Sequence, residues 1–577
     1  MKTRTTETKR EEFRTSDRPA NGAELLVRFL LHKNVKRVVG IPGGANLPIY
    51  DALYASGIEH VLARHEQGAG FIALGTARIT GKAAVCIASS GPGVTNLLTA
   101  VADAKCDSVP LVAITGQVPQ SLIGTDAFQE IDTYSLSKPI TKKTYLVRST
   151  SELALVLNEA FRIAEVGRPG PVWIDIPKDV QLSPFDGDWK EIEELWNSRP
   201  EPESPRLSSD SEEKFESFCR LLENARRPIL YAGGGVRLSG AEDLLVEFAE
   251  KQDIPVATTL MGMDCFPRKH PLSLGMLGMH GAPYTNIALE ESDLLLAFGV
   301  RFDDRATGKL ETFCPNAKVV HVDIDPREIG KLREPDLFFL EDLRNFLISA
   351  VELPERKRDS WNRLVASWKR LFPLPLFSKG NGYMPDVVLK TCAEALGPAT
   401  ILTTDVGQHQ MWAAQFYPFE EPKTWITSGG LGTMGFGLPA AIGVALESPE
   451  RDVLCISGDG SFWMNVQELD TLAETDLNVK ILVFDNRHLG LVRQQQELFF
   501  HGRFYGSSYP GPSKSAKVAE ALGIPSLDLG EEGRTLSDLV RFLKEPGPGL
   551  VVVTIDPKLH VLPIVPAGKG NLEMVLE

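Results

Sequence analysis

Residues 452–486 read DVLCISGDGSFWMNVQELDTLAETDLNVKILVFDN. An apolar run, DVLCIS, meets the glycine turn GDG; a helical stretch follows, and a second apolar run, VKILVF, closes the unit. Short, continuously apolar strands joined through a helix are buried on both faces, which is the signature of a parallel sheet. A similar layout precedes it in AAVCIASSGPGVTNLLTAVADAKCDSVPLVAIT, residues 83–115, a likeness of arrangement rather than of residue identity. The runs RPILYA, SDLLLAFG, AKVVHVDI and GLVVVTI extend the pattern along the chain. The fold class expected is α/β, with three doubly wound parallel-sheet domains. In open parallel sheets ligands sit beyond the carboxyl ends of the strands, so chemistry is expected at these turns.

Working outward, the chain has 577 residues, enough for three or four domains at roughly 150 residues each. A Pro-, Ser- and Glu-rich stretch at 187–212 and a charged stretch at 351–385 read as linkers. They leave blocks at 21–186, 213–350 and 386–577, with residues 1–20 as a disordered tail. With 43% hydrophobic and 24% charged residues, disordered, collagen-like and disulfide-scaffold classes are excluded. A net charge of −15 argues against nucleic-acid binding driven by bulk charge, while backbone amides and bound metals can still hold a phosphate locally. Seven cysteines without a C-x-x-C pair fit reduced thiols and a cytoplasmic location. The amino-terminal segment has no apolar core for a secretory signal, and Glu7, Glu11, Glu12 and Asp17 argue against a transit peptide. Thr424–Leu446 is 23 residues without a charge, but its six glycines and Pro439 read as a buried loop feeding a short helix, not a membrane span.

Asp459 ends one apolar run and Asn486 the next, 27 positions on, which is one strand–helix–strand unit. In a parallel sheet both side chains emerge at one edge. A carboxylate, an amide carbonyl and a main-chain carbonyl suit Mg²⁺, with phosphate oxygens completing the octahedron. Gly458 and Gly460 allow close approach of a phosphate, and a helix starting near Ser461 would aim its amides at it. An isolated GDG is a common turn; GDG with the distant Asn at a strand end resembles thiamine-diphosphate enzymes. That resemblance assigns the metal to Asp459, Asn486 and the carbonyl of His488.

Activating that coenzyme requires a carboxyl group against its pyrimidine ring, exchanging a proton in a largely apolar site, where desolvation raises a carboxylate pKa. Glu66 in LARHEQGAGFIALGTAR is the candidate. RHEQGAGFIA resembles the acetohydroxyacid synthase (acetolactate synthase) catalytic subunit, as do GIPGGANLPIYDAL, SSGPGVTNLLTAVADA, IGTDAFQE, RPGPVWIDIPKDVQ, LGMLGMHG, RFDDRATG, TTDVGQHQMW and TSGGLGTMGFGLPAAIGVAL. The resemblance runs from about residue 20 to 570, and IGTDAFQE and RFDDR are its most diagnostic segments. It implies decarboxylation of pyruvate and transfer of the two-carbon remainder to a second pyruvate, giving 2-acetolactate, or to 2-oxobutyrate, giving 2-aceto-2-hydroxybutyrate, in valine, leucine and isoleucine biosynthesis.

Carried over by position, Gly44, Pro92, Asn96 and Gln129 line the pyrimidine side with Glu66, and Val406 lies beneath the coenzyme. Gly407, Gln408, His409, Gly432, Met434, Gly460, Ser461 and Gly490 complete the thiamine diphosphate set. Phe128 and Lys178 border the substrate entrance, and Arg305 pairs with the acceptor's carboxylate, a task suited to a planar guanidinium. The family's sites form across a homodimer or tetramer interface, and a small regulatory subunit is a possible partner; no nucleic-acid or membrane partner is expected.

In the middle block, Gly233, Gly234 and Gly235 follow the run RPILYA, and Asp323 closes AKVVHVD. The spacing is not G-x-G-x-x-G, so on its own it fits either a dinucleotide site or a domain that binds nothing. The resemblance implies a structural, non-redox FAD contacted by Arg168, Thr259, Leu260, Met261, His280, Arg301, Asp323, Ile324 and Asp342. Glu341 stands where the family usually has glycine. Gln495, in VRQQQELFF, stands where a Trp is usual, and this segment resembles the isozyme I type. Such a change should reduce preference for the extra methylene of 2-oxobutyrate, worth about 1–3 kcal/mol in an apolar pocket. Rival readings are another thiamine-diphosphate carboligase or decarboxylase, a flavin-dependent pyruvate oxidase, and a binding module without catalysis; Glu66 argues against a glyoxylate carboligase, which lacks that acid.

Overall fold

The computed structural model of the protein describes residues 18–198, 209–377 and 383–577. The amino-terminal tail through residue 17 and the centres of both linker stretches lie outside the described residues. Among the described residues, eighteen strands form three six-stranded sheets, parallel throughout.

The first sheet contains β1 (Arg37–Gly40), β2 (Glu59–Leu62), β3 (Ala84–Ala88), β4 (Leu111–Gln117), β5 (Lys143–Leu146) and β6 (Pro171–Pro177), in the order β2-β1-β3-β4-β6-β5. The third contains β13 (Ile401–Thr404), β14 (Trp425–Thr427), β15 (Val453–Gly458), β16 (Val479–Asp485), β17 (Ser526–Asp528) and β18 (Gly549–Thr554), in the order β14-β13-β15-β16-β18-β17. Counted within each sheet, the two orders are the same, so the likeness of layout read in the sequence extends to topology. The middle sheet holds β7 (Pro228–Ala232), β8 (Val256–Thr258), β9 (Ser273–Met276), β10 (Leu294–Phe298), β11 (Lys318–Asp323) and β12 (Leu337–Leu340), ordered β12-β11-β10-β7-β8-β9. That is the dinucleotide-fold order, two halves built outward from a central pair.

The central strands β3, β4, β6, β7, β10 and β16 are buried at every position. Helices cover both sheet faces, and each fully buried Val, Leu, Ile or Phe contributes roughly 1.5–3 kcal/mol. The sheet direction reverses between β1 and β3, between β7 and β10, and between β13 and β15. These switch points are where a doubly wound sheet opens a crevice.

The chain divides into two compact units. Of the described residues, one comprises 18–198 with the excursions 428–449 and 464–477; the other comprises 209–377, 383–427, 450–463 and 478–577. In the first unit, helix Gly437–Glu447 packs directly on helix Glu66–Thr80. Backbones touch there: a Cβ at Gly443 would stand 1.9 Å from the Ile72 carbonyl oxygen, and one at Gly75 would stand 2.2 Å from that of Ala440. The uncharged stretch Thr424–Leu446 is thus a strand, a glycine-rich loop and most of this buried helix. Among the described residues no helix is long and apolar enough to cross a membrane. All seven cysteines are described, and none forms a disulfide.

Two local features differ from the sequence reading. The stretch 187–212 contains helix Trp189–Asn197, whose Trp196 is buried against Phe29 in the core of the first unit. After GDG, the helix spans only Asp459–Phe462, starting two residues before Ser461, and helix Glu468–Thr475 follows separately.

Candidate active site

At the third sheet's carboxyl edge, β15 and β16 run in register with Gly458 opposite Phe484. Asp459 and Asn486 therefore leave the sheet close together, at and beside its switch point. Asp459 is 4% exposed and its Oδ2 has no partner among the described residues. Burial, then the nearby Asp485 carboxylate, pushes its carboxyl up to about 7, partly offset by the Gly460 amide. A buried acceptor left unsatisfied costs about 1–3 kcal/mol, and a hard cation would satisfy it and favour the carboxylate form. Among the described residues no cluster of three His, Cys, Asp or Glu side chains is placed for a metal. A single carboxylate with amide and main-chain oxygens is the donor set that Mg²⁺ takes alongside phosphate.

A polar chain holds Asn486. Its Oδ1 accepts the His488 amide at 3.0 Å, and its Nδ2 donates to Gln408 Oε1 at 3.1 Å. Gln408 Nε2 donates onward to Gln494 Oε1 at 3.0 Å and to the Leu559 carbonyl at 2.9 Å. Gly490 closes against this chain: a Cβ there would lie 2.0 Å from Gln408 Oε1. Beyond β13, Gly407 and Gly458 pack against the His409 ring, which would meet a Cβ at 2.6 and 2.7 Å. Desolvation pushes His409 down to about 3 against a main-chain hydrogen bond to Asp405, so the imidazole is neutral near pH 7, and its Nε2 has no partner among the described residues. Ser461 Oγ donates to the Val406 carbonyl at 2.8 Å, tying the loops after β15 and β13 together. Asp459, Asn486, His488, Val406, Gly407, Gln408, His409, Gly460, Ser461 and Gly490 thus share one edge, with neutral or unpaired polar atoms fitted to a metal-bound diphosphate.

At the first sheet's carboxyl edge, Gly44 follows β1, Glu66 follows β2, Pro92 and Asn96 follow β3, Phe128 and Gln129 follow β4, and Lys178 follows β6. Glu66 opens helix Glu66–Thr80, which His65 caps by accepting the Gln67 amide at 3.1 Å. Asn96 Nδ2 donates to Glu66 Oε2 at 2.9 Å. Gln129 adopts φ +59° and packs closely against Gly91, itself at φ +60°, where a Cβ would meet Gln129 Cα at 2.9 Å. Phe128 is 88% exposed. Also in this unit, the loop bearing Gly432 and Met434 is tied down by two buried acids. Asp103 accepts the Ser428 and Thr433 hydroxyls, and Asp107 accepts the Gly429 and Gly430 amides at 3.1 and 2.6 Å.

The residues assigned to FAD, Arg168 excepted, line the carboxyl edge of the middle sheet. Gly233–Gly235 follow β7, Thr259, Leu260 and Met261 follow β8, His280 follows β9, Arg301 follows β10, Asp323 ends β11 with Ile324 just after it, and Asp342 follows β12. Thr259 Oγ1 is buried without a partner among the described residues, and His280 is driven down to about 4 by desolvation, opposed by its bond to the Pro563 carbonyl. The glycine run has a structural cause of its own: Cβ atoms at Gly233 and Gly235 would strike Gly299 at 2.3 and 2.5 Å. Asp342 caps helix Leu343–Ala350 by accepting the Arg344 amide at 2.9 Å, and Glu341 is pushed up by burial and by the Asp342 charge. Arg168 lies in the first unit, with its Nε on Ser108 Oγ at 2.8 Å.

The sequence matches the thiamine pyrophosphate enzyme family in all three of its parts: the N-terminal TPP binding domain over residues 20–136, the central domain over 215–349 and the C-terminal TPP binding domain over 405–553. It is 51% identical to the acetolactate synthase isozyme 1 large subunit of Escherichia coli K12, over 96% of this chain and 98% of that protein. The chain belongs to the acetolactate synthase large-subunit family. Isozyme 2 of the same organism is 46% identical over 96% of the chain and 99% of its own length, and chloroplastic acetolactate synthase 2 of Nicotiana tabacum is 44% identical over 97% and 86%.

Two further residues of the acetolactate synthase reading are solvent-facing in the chain: Arg305, whose Nη1 contacts Met279 Sδ at 3.1 Å, and Gln495, on helix Gly490–Phe499. Sequence reasoning missed several groups that hold the site. Gln494, next to Gln495, faces inward, and its amide bonds both Gln408 and the main chain of Val561. Asp175, wholly buried and pushed up to about 7 by desolvation, accepts from Thr115 Oγ1 and from Gln117 Nε2, which also holds the Ile131 carbonyl beyond Phe128 and Gln129. Helical phase distinguishes Gln494 from Gln495; no sequence signal marks Asp103, Asp107 or Asp175, whose partners are distant in the chain.

Proposed function

We propose that the protein forms 2-acetolactate from two molecules of pyruvate with release of CO₂, and 2-aceto-2-hydroxybutyrate when 2-oxobutyrate is the acceptor, as a step in branched-chain amino-acid biosynthesis. The observation that carries this reading is the buried Asp459 carboxyl group beside Asn486, whose Oδ2 has no partner among the described residues, in a chain of this family. Asp459, Asn486 and the His488 carbonyl would hold Mg²⁺ against the diphosphate, with Gln408, His409, Gly460, Ser461 and Gly490 around it. Val406 would also contact the coenzyme, and the reading assigns Gly432 and Met434 to it as well.

Thiamine diphosphate, when bound, supplies a nucleophilic carbon and accepts the electrons released as CO₂ departs. Glu66 would hold and return a proton at its carboxyl group, oriented by Asn96. Gly44, Pro92 and Gln129 would shape the pyrimidine side. Arg305 would grip the acceptor carboxylate with two parallel N–H donors, while Lys178 and Phe128 would border the entrance. Gln495 in place of an aromatic residue favours pyruvate as acceptor. The reaction transfers no net electrons, so FAD along the middle sheet would be structural.

We place the functional domains at 21–186, 213–350 and 386–577. The protein would act in the cytoplasm as a homodimer or tetramer with sites at subunit interfaces, and with a small regulatory subunit. The test supplies pyruvate, with and without 2-oxobutyrate, to protein loaded with thiamine diphosphate, Mg²⁺ and FAD. Acetolactate without O₂ uptake is expected; O₂ consumption matching pyruvate loss would identify a flavin oxidase instead. Glu66→Gln should remove most turnover while retaining cofactor binding, and near-normal turnover would overturn its assignment.

A further inference from the structure

We propose that Glu468 is the positioning residue for Glu66: a side chain from the carboxyl-terminal third fixes the main chain that delivers the Glu66 carboxyl group. This rests on the reading of Glu66 given above. Glu468 opens helix Glu468–Thr475 and is 0% exposed. Its Oε1 accepts the amides of Arg64 and His65, each at 3.1 Å. Its Oε2 accepts Thr471 Oγ1 at 2.7 Å and shares the Arg64 amide at 3.3 Å. Those two amides lie between the end of β2 and the first turn of helix Glu66–Thr80, where the helix itself provides no acceptor. A carboxylate, with several lone pairs and no proton to place, can take all three donors at once.

Gly68 gives a second, independent observation. A Cβ at that position would stand 2.2 Å from Glu468 Oε1, so the glycine one turn into the helix makes room for this acid. The grip continues on both sides of Glu66. Arg64 pairs with Asp470 and Glu474, each at 2.6 Å, and Gln67 Oε1 accepts from Asn465 Nδ2 at 3.1 Å. Asn96 holds the Glu66 side chain itself. The carboxyl group is thus aimed by one amide on its tip and by a buried acid under its backbone.

The test uses the full chain and four variants: Glu468→Ala, Glu468→Gln, Glu66→Gln and the double variant Glu66→Gln/Glu468→Ala. A group displaced by about 1 Å from its partner loses on the order of 100-fold in rate. Glu468→Ala should therefore lower kcat roughly 30- to 100-fold, with the pyruvate KM changed by less than about threefold. Glu468→Gln can still accept both main-chain amides while turning its NH₂ to the Thr471 hydroxyl, and should recover most of the loss. The double variant should be no slower than Glu66→Gln. In cofactor-free protein, amide hydrogen exchange over residues 64–66 should quicken in Glu468→Ala and not in Glu468→Gln. Unchanged exchange, near-normal kcat in Glu468→Ala, or further loss in the double variant would overturn the proposal. An inactive Glu66→Gln with a normal Glu468→Ala removes only this inference; a fully active Glu66→Gln removes the reading beneath it as well. If Glu468→Ala does not fold, Glu468→Asp, one methylene short of both amides, must show the same losses.

Discussion

Arg78→Met tests whether the buried charge cluster behind the Gly432 loop is electrostatically coupled. Arg78 has a side chain 1% exposed; its Nη2 lies 2.7 Å from Asp107 Oδ2 and 3.5 Å from Asp103 Oδ1, with the guanidinium over the Phe436 ring. Burial and the Asp107 charge together push Asp103 upward, and Arg78 is the main group opposing them. Removing one partner of a buried pair costs about 3–5 kcal/mol, because a charge is left desolvated and unpaired. That cost depends on pH. Without Arg78 the folded pKa of Asp103 rises further above its unfolded value, so the native state binds a proton that the unfolded chain has already released. Stability of the variant is then retained at low pH and lost as pH rises toward the folded pKa, at about 1.4 kcal/mol per unit of pH. Thermal or urea unfolding of the first unit can be followed through its buried Trp173. At pH 8 the first transition should fall by the full amount, and the gap from the parent protein should narrow clearly at pH 5.5. A gap equal at the two pH values, or below about 1 kcal/mol at pH 8, would refute the reasoning. Because Asp103 and Asp107 hold the Ser428–Thr433 loop, the thiamine diphosphate concentration needed for half-activation should also rise.

Three other outcomes follow from the geometry. Gly443→Ala places a methyl 1.9 Å from the Ile72 carbonyl oxygen; the helices must part, lowering stability by about 1–3 kcal/mol or more, which a thermal shift would reveal. Asp175, up at about 7 against an ordinary 3.8, carries a proton in the native state that the unfolded chain loses first. Stability should therefore decline from about pH 4 to about pH 7 and level off above, by up to roughly 4 kcal/mol, and Asp175→Asn should lack that slope in parallel unfolding curves. Gln495→Trp should shift acceptor choice toward 2-oxobutyrate by roughly 10-fold or more, on the scale of one buried methylene, measured by product ratios in mixed-substrate assays.

The strands, and the sheet edges where the candidate residues gather, were legible because fully buried parallel strands are written as uninterrupted apolar runs. The spacing of Asp459 and Asn486 was legible because one strand–helix–strand unit sets it. Helix Trp189–Asn197 was obscured by its acidic face, although Trp189, Ile192 and Trp196 recur at helical intervals. The break after Phe462 was not legible: the composition of 463–475 is helical throughout, and what interrupts it is tertiary docking. The same docking hides Glu468 among ordinary surface-looking acids, since its partners Arg64 and His65 lie some four hundred positions earlier. Pattern along the chain reports which elements form; it is silent about which elements from remote parts of the chain share a core.

The composition of the first compact unit constrains how the protein is made. Its helix Gly437–Glu447 is the wall against which Glu66–Thr80 packs, helix Glu468–Thr475 holds the segment just before Glu66, and the excursion that carries the latter ends at residue 477. During synthesis at roughly 5–20 residues per second, the amino-terminal sheet waits tens of seconds for that wall. Until then its glycine-lined helix presents bare backbone and apolar side chains to the cell, so nascent chains stalled before residue 477 should be the preferred clients of chaperones, and fragments cut there should aggregate rather than function.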